Sequence, residues 1–375
     1  MSQIQELIAD YYQSIQHTGQ KEAAEGRVEA VIEAVKTQDK LLAAWFPQTK
    51  HYFITMEFGQ PCAVLFSERE IFERFAENCK ARGIRTAAVE NPVQERTLLF
   101  ADLWRCGFTR VIIDFEPLYL NIALSDFFTP PDYSQVRLAQ RPVLSPQMTG
   151  YVLQMMQGLY TGQANGNAEL RMLMELYHSA FFSPVERTEQ NKRIPAVSTP
   201  DGKQFAMLFT DRREWAAVMK NTQFVPEIVR YADMQKLLQD GLDGVIVNPG
   251  TGAELYLDAQ LLETAEKAAT GDTAHLEPCA LQDMRIVIGD PDTLSDSLKD
   301  CITAVLQNYT GIKTAWLRAV QKSDSLHTGY LLIYECTPET DKKALLGELT
   351  ETVMPMTAGR NLECVSLDDL PDRAW

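Results

Sequence analysis

The residues of this chain with chemistry to offer are seven cysteines, five histidines and two polar turns that follow buried-type apolar runs. The first turn is Asp114-Phe-Glu116, after Val111-Ile-Ile113. Two carboxyl groups flanking an aromatic ring suit cation binding or acid–base work. The second is Asn248-Pro-Gly-Thr-Gly252, after Val245-Ile-Val247. A turn of this composition can aim backbone N–H groups at an anion. Ordinary turn chemistry competes with both readings, because Gly supplies backbone angles other residues resist and exposed acids need only water. Asp114, Glu116, Asn248, Gly250, Thr251 and Gly252 are therefore the candidate binding residues, and no catalytic residue is assigned. Cys62, Cys79, Cys106, Cys279, Cys301, Cys336 and Cys364 form no CxxC pair. Cys106 comes nearest to a reactive setting, yet it closes a helix, where the dipole disfavours a thiolate. All seven read as reduced, mostly buried small hydrophobes. His17, His51, His178, His275 and His327 show no HxH, HxxxH or HExxH spacing. His178 reads as a boundary residue on an apolar helix, and His275 and His327 as loop residues. No metal and no cofactor is expected, since zinc spacings, a nucleophile elbow, a Walker A loop and a dinucleotide fingerprint are all missing.

The bulk properties narrow the partner class. Lys and Arg total 35 against 51 Asp and Glu, a net charge of −16 over 375 residues. No basic tract offsets that deficit, which argues against nucleic-acid binding. Glu6 and Asp10 break up the N-terminal apolar residues, so no signal peptide is read there, and no apolar run approaches the ~18 residues of a membrane span. The expected setting is the cytoplasm.

The elements that must carry the two turns repeat along the chain. Cys62-Ala-Val-Leu-Phe-Ser-Glu-Arg-Glu70 and Phe205-Ala-Met-Leu-Phe-Thr-Asp-Arg-Arg213 are each an apolar strand ending at a hydroxyl residue, then a helix. Ser67 and Thr210 are expected as N-caps, with Glu70 completing a capping box in the first copy. Further on, Val111 aligns with Val245 and Asp114 with Asn248, and both turns lead into Leu-Tyr-Leu. Each copy is expected to open with a helix, a Pro-marked turn and a strand. Leu41 to Phe46 before Pro47, and Ala168 to Phe181 before Pro184, supply the helices, and His51 to Thr55 and Ile194 to Val197 the strands. Between the copies Tyr151 to Tyr160 has helical spacing, with Thr161 to Gly166 as a turn.

The last hundred residues read β-α-β-β-α-β: a strand at Arg285 to Ile288, a helix to Tyr309, strands at Thr314 to Val320 and Gly329 to Tyr334, a helix over Lys342 to Val353, and a strand near Leu362 to Val365. That order suggests a ferredoxin-like split βαβ unit. The expected fold class is α+β: two tandem related α+β units followed by a ferredoxin-like domain. The boundaries are an N-terminal helix over 1–20, a first unit over 21–135, a helical connector over 136–166, a second unit over 167–280 and the last domain over 281–375.

With these motifs on the page, the chain resembles the SseB family, named for enhanced serine sensitivity. Ala206-Met-Leu-Phe-Thr-Asp211 and Gly244-Val-Ile-Val-Asn-Pro-Gly250 carry the likeness to its N-terminal domain, and residues 41–124 look like a divergent copy in which Asp114-Phe-Glu-Pro117 replaces Asn-Pro-Gly. Thr314-Ala-Trp-Leu317 and Tyr330-Leu-Leu-Ile333 resemble the family's C-terminal domain. The resemblance implies no settled biochemical activity. Two readings follow. The first is a non-catalytic adaptor that binds another protein through the strand-end turns, with Glu116 and Thr251 exposed. The alternative is a small-molecule-binding protein or enzyme with its site at 114–117 or 248–252.

Overall fold

The computed structural model describes residues 2–18, 21–57, 60–162, 166–187, 192–270, 286–289, 296–322, 329–353, 357 and 362–367. The fold class is α+β. Helices α1 (Gln3–Thr18) and α2 (Lys21–Thr37) precede the first unit. Its sheet comprises β1 (Lys40–Phe46), β2 (His51–Tyr52), β3 (Thr55–Glu57), β4 (Gln60–Phe66), β5 (Ala87–Pro92), β6 (Arg110–Ile113) and β7 (Leu120–Ala123). Helix α3 (Arg69–Ala81) follows β4, and α4 (Arg96–Arg105) joins β5 to β6. The strand order is β2-β1-β4-β6-β7, with β3 on β4 and β5 on β1.

Helices α5 (Pro146–Thr161) and α6 (Gly166–His178) lead into the second unit. It contains β8 (Ala180–Arg187), β9 (Lys192–Arg193), β10 (Ala196–Ser198), β11 (Gln204–Leu208), α7 (Arg212–Met219), β12 (Val225–Arg230), α8 (Tyr231–Gln239), β13 (Gly244–Val247), β14 (Leu255–Asp258) and α9 (Ala259–Thr270). The pairing repeats that of the first unit. Ala63 pairs in parallel with Val111, and Ala206 in parallel with Val245. Strand β6 then pairs antiparallel with β7, and β13 with β14. Strand β5 lies antiparallel on β1, as β12 does on β8. Leu42 opposes Phe66, and a bridge joins Phe182 to Phe209. These central strands are buried on both faces, which is why they read as unbroken apolar runs.

One core runs through both units. It takes in Ile8 and Val35 from the first helices, Leu65, Leu103 and Ile113 from the first unit, Val152 and Leu176 from the connecting helices, and Leu208, Val247 and Ala265 from the second. Smaller clusters fill the far face of each sheet. Phe66, Phe72 and Phe75 lie under α3, and Phe209, Trp215 and Met219 under α7.

Several expectations are corrected here. Leu41 to Phe46 is strand β1, not a helix, and Phe181 to Pro184 belong to strand β8. Leu41 to Ala44 are all buried, so the local apolar run carried no helical stripe to distinguish the two states. Ser67 and Thr210 are not N-caps. Helix α3 starts one residue later, on Glu68, with no side-chain cap bond, and α7 is capped by Asp211, whose carboxylate accepts from Arg213 N and Glu214 N.

The last region has β15 (Ile286–Gly289), α10 (Asp296–Gln307), β16 (Ile312–Lys322), β17 (Gly329–Cys336), α11 (Lys342–Glu348) and β18 (Leu362–Ser366), in the expected order. Its sheet runs β15-β16-β17-β18. In a split βαβ unit, two parallel strands joined by a helix are separated by a third strand. Here α10 joins antiparallel neighbours, β15 and β16, and α11 joins parallel neighbours, β17 and β18. The ferredoxin-like pairing is thus absent, because element order alone leaves strand neighbours open and the long β16–β17 hairpin takes the centre. Its core, around Leu298, Leu332, Tyr334 and Leu345, is separate from the other three. Among the described residues, no helix is long and apolar enough to cross a membrane.

Candidate functional site

The two strand ends are built alike. Asp114 and Asn248 each end a central strand with positive φ, 68° and 52°. Asp114 Oδ1 accepts from Ser67 N at 2.7 Å, while Oδ2 accepts from Ser67 Oγ at 2.8 Å and Gln5 Nε2 at 2.9 Å. In the second unit Asn248 Oδ1 accepts from Thr210 N at 3.0 Å, and Nδ2 donates to Thr210 Oγ1 at 3.2 Å. The hydroxyls expected to cap helices instead tie neighbouring strand ends together. Burial pushes the Asp114 carboxyl above its ordinary value, against the pull of the Ser67 and Gln5 donors.

The candidate binding residues do not converge. Asp114 is fully buried while Glu116 is exposed, so the two acids form no acid–base pair. Asn248 and Thr251 are buried too, which corrects the expectation that Thr251 is exposed. Thr251 Oγ1 donates to Asn248 O at 2.8 Å. Gly250 lies at the surface, but its N–H donates to Glu254 Oε2 at 2.9 Å, so the chain's own carboxylate takes the place an anion would occupy. At Gly252, φ is +90° and an added Cβ would sit 2.6 Å from Gln48 O. That turn packs against the first unit.

A second constellation lies where the units meet, and sequence reasoning did not find it. Arg105 closes α4 and donates from Nε to Asp102 Oδ1 at 2.8 Å, from Nη1 to Asp211 Oδ2 at 2.6 Å, and from Nη2 to Cys106 Sγ at 3.2 Å. Arg213 Nη1 donates to Asp102 Oδ2 at 2.6 Å. His51 Nε2 is 3.2 Å from Glu214 Oε1, and His51 Nδ1 is 3.9 Å from Cys106 Sγ. The run Asp211-Arg-Arg-Glu214 at the start of α7 thus docks on α4 and β2. Burial pushes Asp102 and Glu214 upward, but Arg105 and Arg213 on the first, and His51 with the two arginines on the second, outweigh it and hold both below the usual carboxylate range. Burial drives the Cys106 thiol up to about 12. A thiol so placed is a poor nucleophile.

Beside this seam opens a cleft of about 530 Å³. Its lining includes Tyr52, Asp102, Arg105 and Arg213 together with Leu98, Trp104, Phe128 and Tyr133. Trp104 stands 6.3 Å from Phe128 and 6.1 Å from Tyr133 between ring centroids. The signal available in the sequence was the i,i+3 pair Asp102–Arg105 and the charged run at 211–214; neither names its partner.

The remaining reactive types sit as follows. The described cysteines are all free, with Cys62, Cys79, Cys106 and Cys336 buried and Cys301 and Cys364 half-buried. His178 is exposed, its ring edge-on to Tyr177. Cys279, His275 and His327, and the side chain of His17, lie outside the described residues. Among the described residues, no group of three or more His, Cys, Asp or Glu is placed to hold a metal ion.

No curated protein and no solved structure matches the chain. A family model does: the SseB protein N-terminal domain, over residues 156–264, from the end of α5 through the second unit into α9. The match contains both Thr210 and Asn248 of the tied strand ends, so this part of the chain is similar to that domain.

Proposed function

We propose that this chain is a non-catalytic, cytoplasmic interaction protein of the SseB type, in which a duplicated unit forms one body that presents the cleft beside the seam to a partner protein. The shared pairing scheme and the twin strand-end ties support the duplication. The observation that carries the functional reading is the seam itself. The groups that catalysis would need are engaged by the protein itself: Cys106 by Arg105 and His51, and, across the two units, His51 by Glu214 and Asp211 by Arg105. The cleft next to them offers an exposed leucine, Leu98, at 68% of its full exposure, and aromatic walls. Loops on a rigid scaffold are where recognition is usually placed.

Leu98→Asp puts a charge in the apolar part of the cleft without touching a core. Partner capture by immobilised full-length protein should fall with Leu98→Asp and survive Glu116→Ala, with melting temperatures unchanged. Loss with Glu116→Ala alone would return the contact to the first strand-end turn. Capture indifferent to Leu98→Asp, with a metabolite raising the melting temperature instead, would favour the small-molecule reading.

A further inference from the structure

The cleft has an apolar middle and polar ends. One wall is a side of α4 and the turn before it, where Glu95, Leu98, Asp102 and Arg105 follow at helical spacing. That run covers about 15 Å at 1.5 Å per residue. Four or five extended residues at ~3.3 Å each fit the same length. The two guanidinium groups beside Asp102 differ. Arg105 has each of its three nitrogens bonded. Arg213 is held only through Nη1, and its Nε and Nη2 make no hydrogen bond among the described residues. Its side chain is 45% exposed at the cleft. Both Asp102 oxygens are already taken, so no acid of the site is left for those donors. Glu95, at the far end, makes no ion pair among the described residues.

We propose that the cleft binds an extended apolar peptide segment of the partner through a carboxylate set on Arg213 Nε and Nη2. The inference rests on the cleft being the interaction surface. A planar guanidinium edge with two parallel donors matches a carboxylate, and charge-assisted pairs of this kind are the stronger hydrogen bonds. A neutral ligand packed over the aromatic walls would shield that edge from water and leave it unpaired, which is costly. A cationic ligand would be repelled by Arg213. Leu98 and the rings of Trp104 and Tyr133 then receive the apolar side chains. The carboxylate is the C-terminus of that segment, since the cleft wall ends near the Asp102–Arg213 pair.

Fluorescence polarisation with full-length protein tests this with three labelled pools of apolar pentapeptides: free C-terminal acids, the same sequences amidated, and amidated sequences carrying one internal Glu. The free acids should bind about tenfold tighter than the plain amides, the scale of one charge-assisted pair. Arg213→Gln should erase that difference, Arg213→Lys should restore part of it, and Leu98→Asp should weaken every pool. Failure of the internal Glu to recover tight binding supports the terminus, and recovery overturns that assignment in favour of a side-chain carboxylate. Equal binding of acids and amides, or a preference that survives Arg213→Gln, overturns the carboxylate inference while leaving the cleft in place if Leu98→Asp still weakens binding. No binding by any pool, or binding indifferent to Leu98→Asp, overturns both.

Discussion

Asp114 and Asn248 hold the same place in two sheets, so the molecule carries its own comparison of a carboxylate with an amide. Each bonds the backbone N–H and the hydroxyl of a residue just past the neighbouring strand, Ser67 or Thr210. The carboxylate version is buried, and its proton affinity is raised. A carboxyl that holds its proton more tightly when folded costs stability at neutral pH, and the cost fades as pH falls toward its unfolded value near ~3.9. Asp114→Asn, oriented as Asn248 is and with the Gln5 amide turned over, should therefore gain up to about 1 kcal/mol at pH 7 and gain nothing near pH 3.5. Urea denaturation at the two pH values measures both. A loss beyond ~1 kcal/mol at pH 7 would mean that the donors of Ser67 and Gln5 require a charge. Thr251 teaches the complementary lesson. It reads as an exposed turn residue, yet its hydroxyl satisfies its own backbone inside the chain.

At the scale of elements, the ties between helices decide more than the helices do. The N-terminus of α7 meets the C-terminus of α4 through Asp211 and Arg105, both nearly fully buried. Removing one partner of such a pair leaves an uncompensated buried charge and typically costs 3–5 kcal/mol. Arg105→Met should lose about that much. Asp211→Asn keeps an acceptor for the α7 cap and should lose less. The double variant should be more stable than the sum of the two by at least ~1 kcal/mol. Additive losses in a four-protein urea series would show that the pair contributes no coupling. This is also where the sequence ran out. The central strands were legible because strands buried on both faces read as unbroken apolar runs, and the polar residue after each marks its end. Strand β1 was not, since Leu-Leu-Ala-Ala-Trp-Phe fits a buried strand as well as a helix. The Ser67 and Thr210 hydroxyls suited helix caps equally well by local rules, and only the distant partners at 114 and 248 show their use. The cleft was invisible for the same reason. Asp102 and Arg213, bonded in its lining, stand 111 residues apart, and no local pattern pairs them.

For the whole molecule, core continuity sets how many parts unfold. The apolar cluster from Ile4 to Ala265 passes through both units without a break, and the ionic seam crosses the same junction. Two units built on one core have no independent interior to fall back on. The C-terminal sheet packs a cluster of its own around Leu332 and Leu345. Calorimetry of the full chain should therefore show two transitions, a large one for the tandem units together and a small one for the C-terminal domain. Leu332→Ala, at a site 1% exposed, should cost about 2–5 kcal/mol and lower only the small transition. Arg105→Met should lower only the large one. Since a domain of that size loses roughly 4–8 °C per kcal/mol, the two shifts are easily told apart. Three transitions, with Arg105→Met moving just one of the two tandem units, would show that the seam joins units that fold separately. A single transition moved by both substitutions would show that the last domain is built into the same cooperative body.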